Sequence, residues 1–204
     1  PMSEHFDQSV SDVTRQFAWL TGGNLVGAIA ALFIFDYLGL KKLFVAIYSL
    51  IALALFSFRA AEDLDTARYI LGIVGLGSGV GLAGAAITIS RTYEQARRAS
   101  MLVITDGCFS IAGFLTSWIA AFLVGHALGW SFTYQLLGLV AASTILLAVS
   151  SSFPPVDQDH DSESLEPWPL SVWLCVISLF LYTLGQYSML FWLPNYAVTQ
   201  LGAP

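Results

Sequence analysis

The chain has 204 residues, of which 56% are hydrophobic and only 11% charged, and its mean hydropathy is +0.71; a soluble domain carries about 25% charged residues, so a water-soluble fold is the first class excluded. The formal charge of −6 rests largely on Asp157, Asp159, Asp161, Glu163 and Glu166 in one connector, which gives no basic footprint for a nucleic-acid partner. Cys108 and Cys175 each fall inside an apolar run, which predicts two buried packing residues and argues against a disulfide framework or a metal cluster.

A helix rises 1.5 Å per residue, so crossing a hydrocarbon core takes roughly 20 apolar residues. The chain opens on Pro1 with no positively charged leader or cleavage site and stops at Pro204 just after an apolar run, so it reads as a piece of a longer protein. The acidic stretch from Glu4 to Asp12 then reads as an external loop. Six spans follow: 17–35, 43–58, 69–90, 101–124, 132–149 and 170–193. The second is the shortest, and Lys41 and Lys42 are expected to lengthen it by snorkelling to the interface. The third is rich in glycine, at Gly72, Gly75, Gly77, Gly79, Gly81 and Gly84. Between the fifth and sixth spans lies a segment opened by Pro154 and Pro155 and filled with Ser, Asp and Glu, the composition of a flexible linker. Trp130, Trp168 and Trp192 stand where an interfacial aromatic belt belongs. Uninterrupted runs of this length exclude the short strands of a barrel. An all-α membrane protein is therefore expected, with a helical bundle over residues 1–152, an acidic linker over 153–168 and a further helix within 169–204.

Connectors alternate sides of the bilayer. One side collects Lys41, Lys42, Arg91, Arg97 and Arg98, the other Arg15, Arg59 and Arg68. By the positive-inside rule the first group, and with it the acidic linker, faces the cytoplasm of a multi-pass protein expected in the inner cell membrane.

Asp106 is the acid well inside the spans, roughly 9 Å past the boundary at Ser100. A carboxylate at that depth costs at least about 2.5 kcal/mol, and a carboxyl held away from water favours its neutral form, so it can load and release a proton. Asp106 is the candidate proton-coupling residue; the plain alternative is an acid near the inner interface bonded to a neighbouring helix. Asn24, Gln135 and Gln186 place amides within spans, where they either bind a hydroxyl-rich solute or tie helices together. Asn24 and Gln186, with Tyr182 one turn before Gln186 on the same face, are the candidate substrate-binding residues. Gly79 to Gly84 match a GxGxxG dinucleotide fingerprint, but that motif needs a preceding strand and a later acid, so these glycines read as sites of close helix approach. Ser78 among glycines and His126 weakly imitate an intramembrane serine protease of the rhomboid type. One sits near mid-membrane and the other at a helix end, which keeps a nucleophile from its base.

The first cytoplasmic connector, Asp36, Tyr37, Leu38, Gly39, Leu40, Lys41, Lys42, resembles the signature DRxGRK of the major facilitator superfamily between its second and third helices. Asp36, Gly39 and Lys41 match, whereas Tyr37 and Leu40 replace basic residues and Leu32 a leading glycine. Gly39 is expected to permit a tight turn, and Asp36, at a helix C-terminus, needs a cation against the dipole. The resemblance implies that Arg91 supplies it, forming an Asp36–Arg91 latch within a cytoplasmic gate of Asp36, Gly39, Lys41 and Arg91. Tyr93 to Arg98 looks like the family's connector between helices four and five. Thr105, Asp106, Phe109, Ser110, Ala112 and Gly113, then Leu184, Gly185, Gln186 and Trp192 to Tyr196, look like the TsgA branch, related to fucose permeases.

That resemblance covers nearly the whole chain and implies helices two to seven of a twelve-helix transporter, with 169–204 opening the second bundle and the substrate site between the halves. Its implied partners are a small-molecule solute, a proton as coupling ion, the lipid bilayer, and helix one and the C-terminal bundle of the same protein. No cofactor and no metal are implied, and no enzyme activity. Fucose-type symporters carry coupling acids on helices one and four, but the span 69–90 holds none, so proton coupling falls to Asp106. The expected function is proton-coupled transport by alternating access of a small polar solute, of which a sugar is one candidate class. A drug or metabolite exporter on the same scaffold is the alternative, and the intramembrane protease a remote one.

Overall fold

The computed structural model describes residues 5–126, 131–153 and 169–201. Among these, six α-helices follow one another: α1 (Val10–Tyr37), α2 (Leu40–Ser57), α3 (Leu64–Thr92), α4 (Gln95–Gly125), α5 (Ser131–Ser150) and α6 (Leu170–Leu201), with a 3-10 turn at Phe58–Ala60 between α2 and α3. Each predicted span falls in a separate helix, except that the second, 43–58, ends one residue into the 3-10 turn, at Phe58. The chain forms two units, Pro1–Gln158 with α1 to α5 and Asp159–Pro204 with α6.

Helix starts are set by short polar side chains. The Ser9 hydroxyl oxygen accepts from the Asp12 N–H at 3.1 Å and its O–H donates to the Asp12 carboxylate at 2.6 Å, so α1 begins at Val10. The end of the acidic stretch read as a loop is thus the first turn of a helix. At the start of α3 the Asp63 carboxylate accepts from the Thr66 N–H. That backbone bond is the main reason the Asp63 carboxyl titrates below the usual carboxylate range. Hydroxyls within the spans fold back on their own helix: Thr88 donates to Gly84 O at 2.8 Å, Thr105 to Met101 O at 2.9 Å and Thr144 to Val140 O at 3.0 Å. In lipid no water can take those protons, so the preceding turn does.

Helix α2 packs against both α3 and α5 and supplies more of the core than any other helix. Leu40, Leu43, Ile47, Ile51, Ala54 and Leu55 are buried along it, and Phe58 just beyond its end is fully buried and stacked on Tyr134 of α5 at 4.3 Å. Among the described residues no polar or charged side chain is buried. Helix α1 packs along α3, and α4 touches α3 and α5 only lightly. Phe109, Phe114, Trp118 and Phe122 of α4 all stand more than half exposed. Such a surface would aggregate in water and carries no such penalty in hydrocarbon. Cys108 and Cys175 are exposed as well, which corrects their reading as buried packing residues. An apolar neighbourhood in a membrane helix signals lipid as readily as protein.

Glycines decide how the helices meet. A Cβ on Gly75 would strike Leu20 O and Asn24 N of α1, and one on Gly79 would strike Asn24 O and Ala28 N. Conversely, a Cβ on Gly23 would strike Gly72 O, and one on Gly27 would strike Leu76 O. Two GxxxG pairs, Gly23 with Gly27 and Gly75 with Gly79, thus mesh backbone against backbone, with α1 and α3 running in the same direction. The opposite face of α3 uses its glycines differently: Gly77 admits the Ile51 side chain, Gly81 the Tyr48 hydroxyl and Gly84 the rings of Phe44 and Phe35. Because lipid removes the hydrophobic drive between helices, this close approach is what holds the bundle, through many dispersion contacts of about 0.1–0.2 kcal/mol each.

Candidate functional site

Asn24 sits midway along α1 on the side that meets α3. Its backbone rests against Gly75 and Gly79, which fixes the position of its half-buried side chain, and the amide forms no hydrogen bond with a described residue. Its donors and acceptor are therefore available, as a solute-binding amide requires. Gln135 lies in the first turns of α5, half-buried.

Asp106 lies on α4, exposed, in a helix whose neighbours leave it open on the described protein. Its backbone carbonyl accepts from the Ser110 hydroxyl at 3.1 Å, and its carboxyl pairs with no cation among the described residues. Asn24 and Asp106 stand on α1 and α4, which share no extended packing. Tyr182 and Gln186 are exposed one turn apart on α6, within the second unit.

At the end where α1 passes into α2, Leu38 and Gly39 make the whole connection. Gly39 has φ −57 and ψ 137, and a Cβ there would meet nothing within 4 Å. The tight turn is present, but it does not depend on glycine, since any L-residue adopts that conformation. Lys41 departs from expectation. It does not simply snorkel: Nζ donates to Val149 O at 2.6 Å and to Ser151 O at 3.1 Å, the open carbonyls at the end of α5. Arg91 is exposed in the last turn of α3. The Asp36 side chain, and with it the Asp36–Arg91 latch, lies outside the described residues, although the Asp36 backbone closes the last turn of α1.

The protease-like pair is kept apart. Ser78 is within α3, about 20 Å from its start, while His126 follows the last turn of α4 and engages Phe122 O through Nδ1 at 2.8 Å. The GxGxxG match lies wholly within α3, with no strand before it among the described residues.

A feature absent from the sequence reading stands at the other end of α1 and α3. The Arg68 guanidinium lies 5.3 Å from the Trp19 ring and 5.1 Å from the Tyr69 ring, and pairs with Asp65 at 3.1 Å. Beside it a groove of about 450 Å³ runs between Trp19, Gly22 and Val26 of α1 and Gly72 and Leu76 of α3. Its lining is glycine and hydrocarbon with little to bind a polar solute, so Arg68 is read as an interfacial anchor for α3. The i,i+3 spacing of Asp65 and Arg68 signals the ion pair; nothing in the sequence signals that Trp19 lies opposite.

Paired spans, a two-residue turn holding Gly39 and flanked by Asp36 and Lys41, and a glycine seam between the first and third helices form one pattern, and a family model decides it: the one described as Major Facilitator Superfamily matches residues 1–204. The chain belongs to that superfamily. Similar proteins include a TsgA homolog of Buchnera aphidicola, 28% identical over 198 residues covering 96% of this chain and 51% of that protein. The protein TsgA of Shigella boydii is 29% identical over 203 residues, covering 96% and 51%. The TsgA homolog of Erwinia tasmaniensis is 26% identical over 204 residues, covering 98% and 52%. The chain thus spans about half the length of these relatives. Membership in the superfamily makes the apolar helices transmembrane helices of a multi-pass membrane protein, five of them long and apolar enough to cross on the described residues alone.

Proposed function

We propose that this chain is part of a secondary active transporter that moves a small polar solute across the membrane by alternating access, coupled to protons through Asp106. Asp106 is the observation that carries the reading: an acid deep in a membrane helix, open on the described protein and without a cation partner there. An ionisable residue inside a membrane span marks a substrate or proton pathway by default. Asn24, its backbone held by the glycine seam and its amide unbonded among the described residues, and Tyr182 and Gln186 on α6 are assigned to solute binding, because amides and hydroxyls bond sugars and similar solutes without the cost of a charge. Asp36, Gly39, Lys41 and Arg91 are assigned to a cytoplasmic gate, whose latch fails as an idea if Asp36→Ala and Arg91→Ala together leave uptake unchanged.

The test uses the full-length protein in proteoliposomes with a panel of monosaccharides and other small polar solutes. The reading expects uptake of at least one of them to rise when the pH is lower outside, and expects Asp106→Asn to insert and purify normally yet lose that dependence. Uptake by Asp106→Asn with an unaltered response to the gradient overturns the assignment. Net efflux driven by the same gradient would instead make the protein an exporter.

A further inference from the structure

The gate motif carries two lysines in succession, and they are not equivalent. Lys42 is exposed and makes no bond with a described residue, whereas Lys41 reaches across to the C-terminus of α5, more than a hundred residues away in sequence, and donates to Val149 O and Ser151 O. Those carbonyls belong to the last turn of a helix and the residue after it, where no further turn supplies an N–H. An ammonium group is well matched to them, since it meets both open acceptors and the negative end of the helix dipole. A second contact lies one turn further into α2. Phe44 packs against Phe153 with ring centroids 5.4 Å apart, and Phe44 in turn stacks on Tyr48 at 5.9 Å.

We infer that Lys41 is a positioning residue that clamps residues 149–153 onto the first turns of α2, so that the turn bearing Asp36 and Gly39 and the root of the acidic linker move as one body. The clamp is a statement about α2 and α5 alone; its consequence for transport rests on the transporter reading above. With it, a pull on the linker begins at residue 154 rather than at the end of α5 and is felt at the α1–α2 turn, two residues before Lys41. An interfacial lysine that only lengthens a short span would leave residues 151–153 unrestrained.

The experiment takes the full-length protein with every native cysteine, Cys108 and Cys175 among them, replaced by Ser and a nitroxide on Ser152→Cys, exposed in the clamp, in lipid vesicles. The parent and Lys41→Arg should give an immobilised spectrum. Lys41→Gln should shorten the label's correlation time several-fold, Phe153→Ala should do so to a smaller degree, and Lys42→Gln, which removes the same charge one residue away, should leave it unchanged. If Lys41→Gln keeps the parent's spectrum, or if Lys42→Gln loosens it equally, the clamp is refuted. Uptake measured on the same variants addresses the consequence separately: a fall in maximal rate at constant KM in Lys41→Gln supports coupling of linker to gate, and an unchanged rate alongside a loosened label overturns it. Failure of the parent to transport any solute would count against the transporter reading while the spectra still decide the clamp.

Discussion

The glycine seam between α1 and α3 makes a quantitative demand. In Gly79→Ala the new methyl would overlap Asn24 O and Ala28 N, which are backbone atoms and cannot rotate aside. The helices must part by about 1 Å to restore normal contact, and a gap of that size forfeits roughly a quarter to a half of each dispersion contact it opens. Overpacking of this kind costs about 1–3 kcal/mol, set against a gain of at most about 1 kcal/mol from replacing glycine in a helix. Gly72 on the same helix and Gly22 on α1 have open space where a Cβ would stand, so alanine there should be neutral or stabilising by about 0.4–1 kcal/mol. Thermal unfolding of the full-length protein in detergent, followed by loss of the monodisperse peak, should therefore rank Gly22→Ala and Gly72→Ala at or above the parent and Gly79→Ala several degrees below it. A Gly79→Ala protein as stable as Gly72→Ala would mean that the helices do not touch backbone to backbone, and the seam would have to be abandoned.

Gly39→Ala should fold as stably as the parent, because φ at that position is −57 and the space is open; a drop in unfolding temperature would show that the turn needs glycine after all. Asp63 carries a pH signature whose sign is fixed by its lowered carboxyl pKa. Its stabilising effect is present above the ordinary carboxylate range, about pH 4, and is lost as pH falls through the lower folded value. Asp63→Asn keeps a cap on α3 while removing that acid-side loss, so its unfolding temperature should fall less steeply with acid than the parent's; identical slopes would rule Asp63 out as a contributor.

The spans were legible because six stretches are apolar over a length only a membrane helix needs, and each became a helix. Their ends were less so: α1 starts at Val10 because Ser9 caps it, a local bond outside the hydropathy signal. The glycines announced close packing, but not that Gly75 and Gly79 serve α1, Gly77 and Gly81 serve α2, and Gly84 takes a ring from each, since the partner of each face is set by tertiary arrangement. Gly39 marked the tight turn, although the turn does not use the special backbone that glycine allows. The acceptors of Lys41 could not be read at all, for backbone carbonyls carry no side-chain signature. Asp106 was legible from its depth in the span, whereas its exposure follows from the light packing of α4.

The account turns on whether a proton moves with the solute through Asp106. Full-length protein in vesicles loaded with a pH-sensitive dye, with no gradient imposed, should acidify the lumen when the transported solute is added outside, and Asp106→Asn should abolish that signal. Acidification of equal size in Asp106→Asn, or solute entry in the parent with no proton movement, would contradict it.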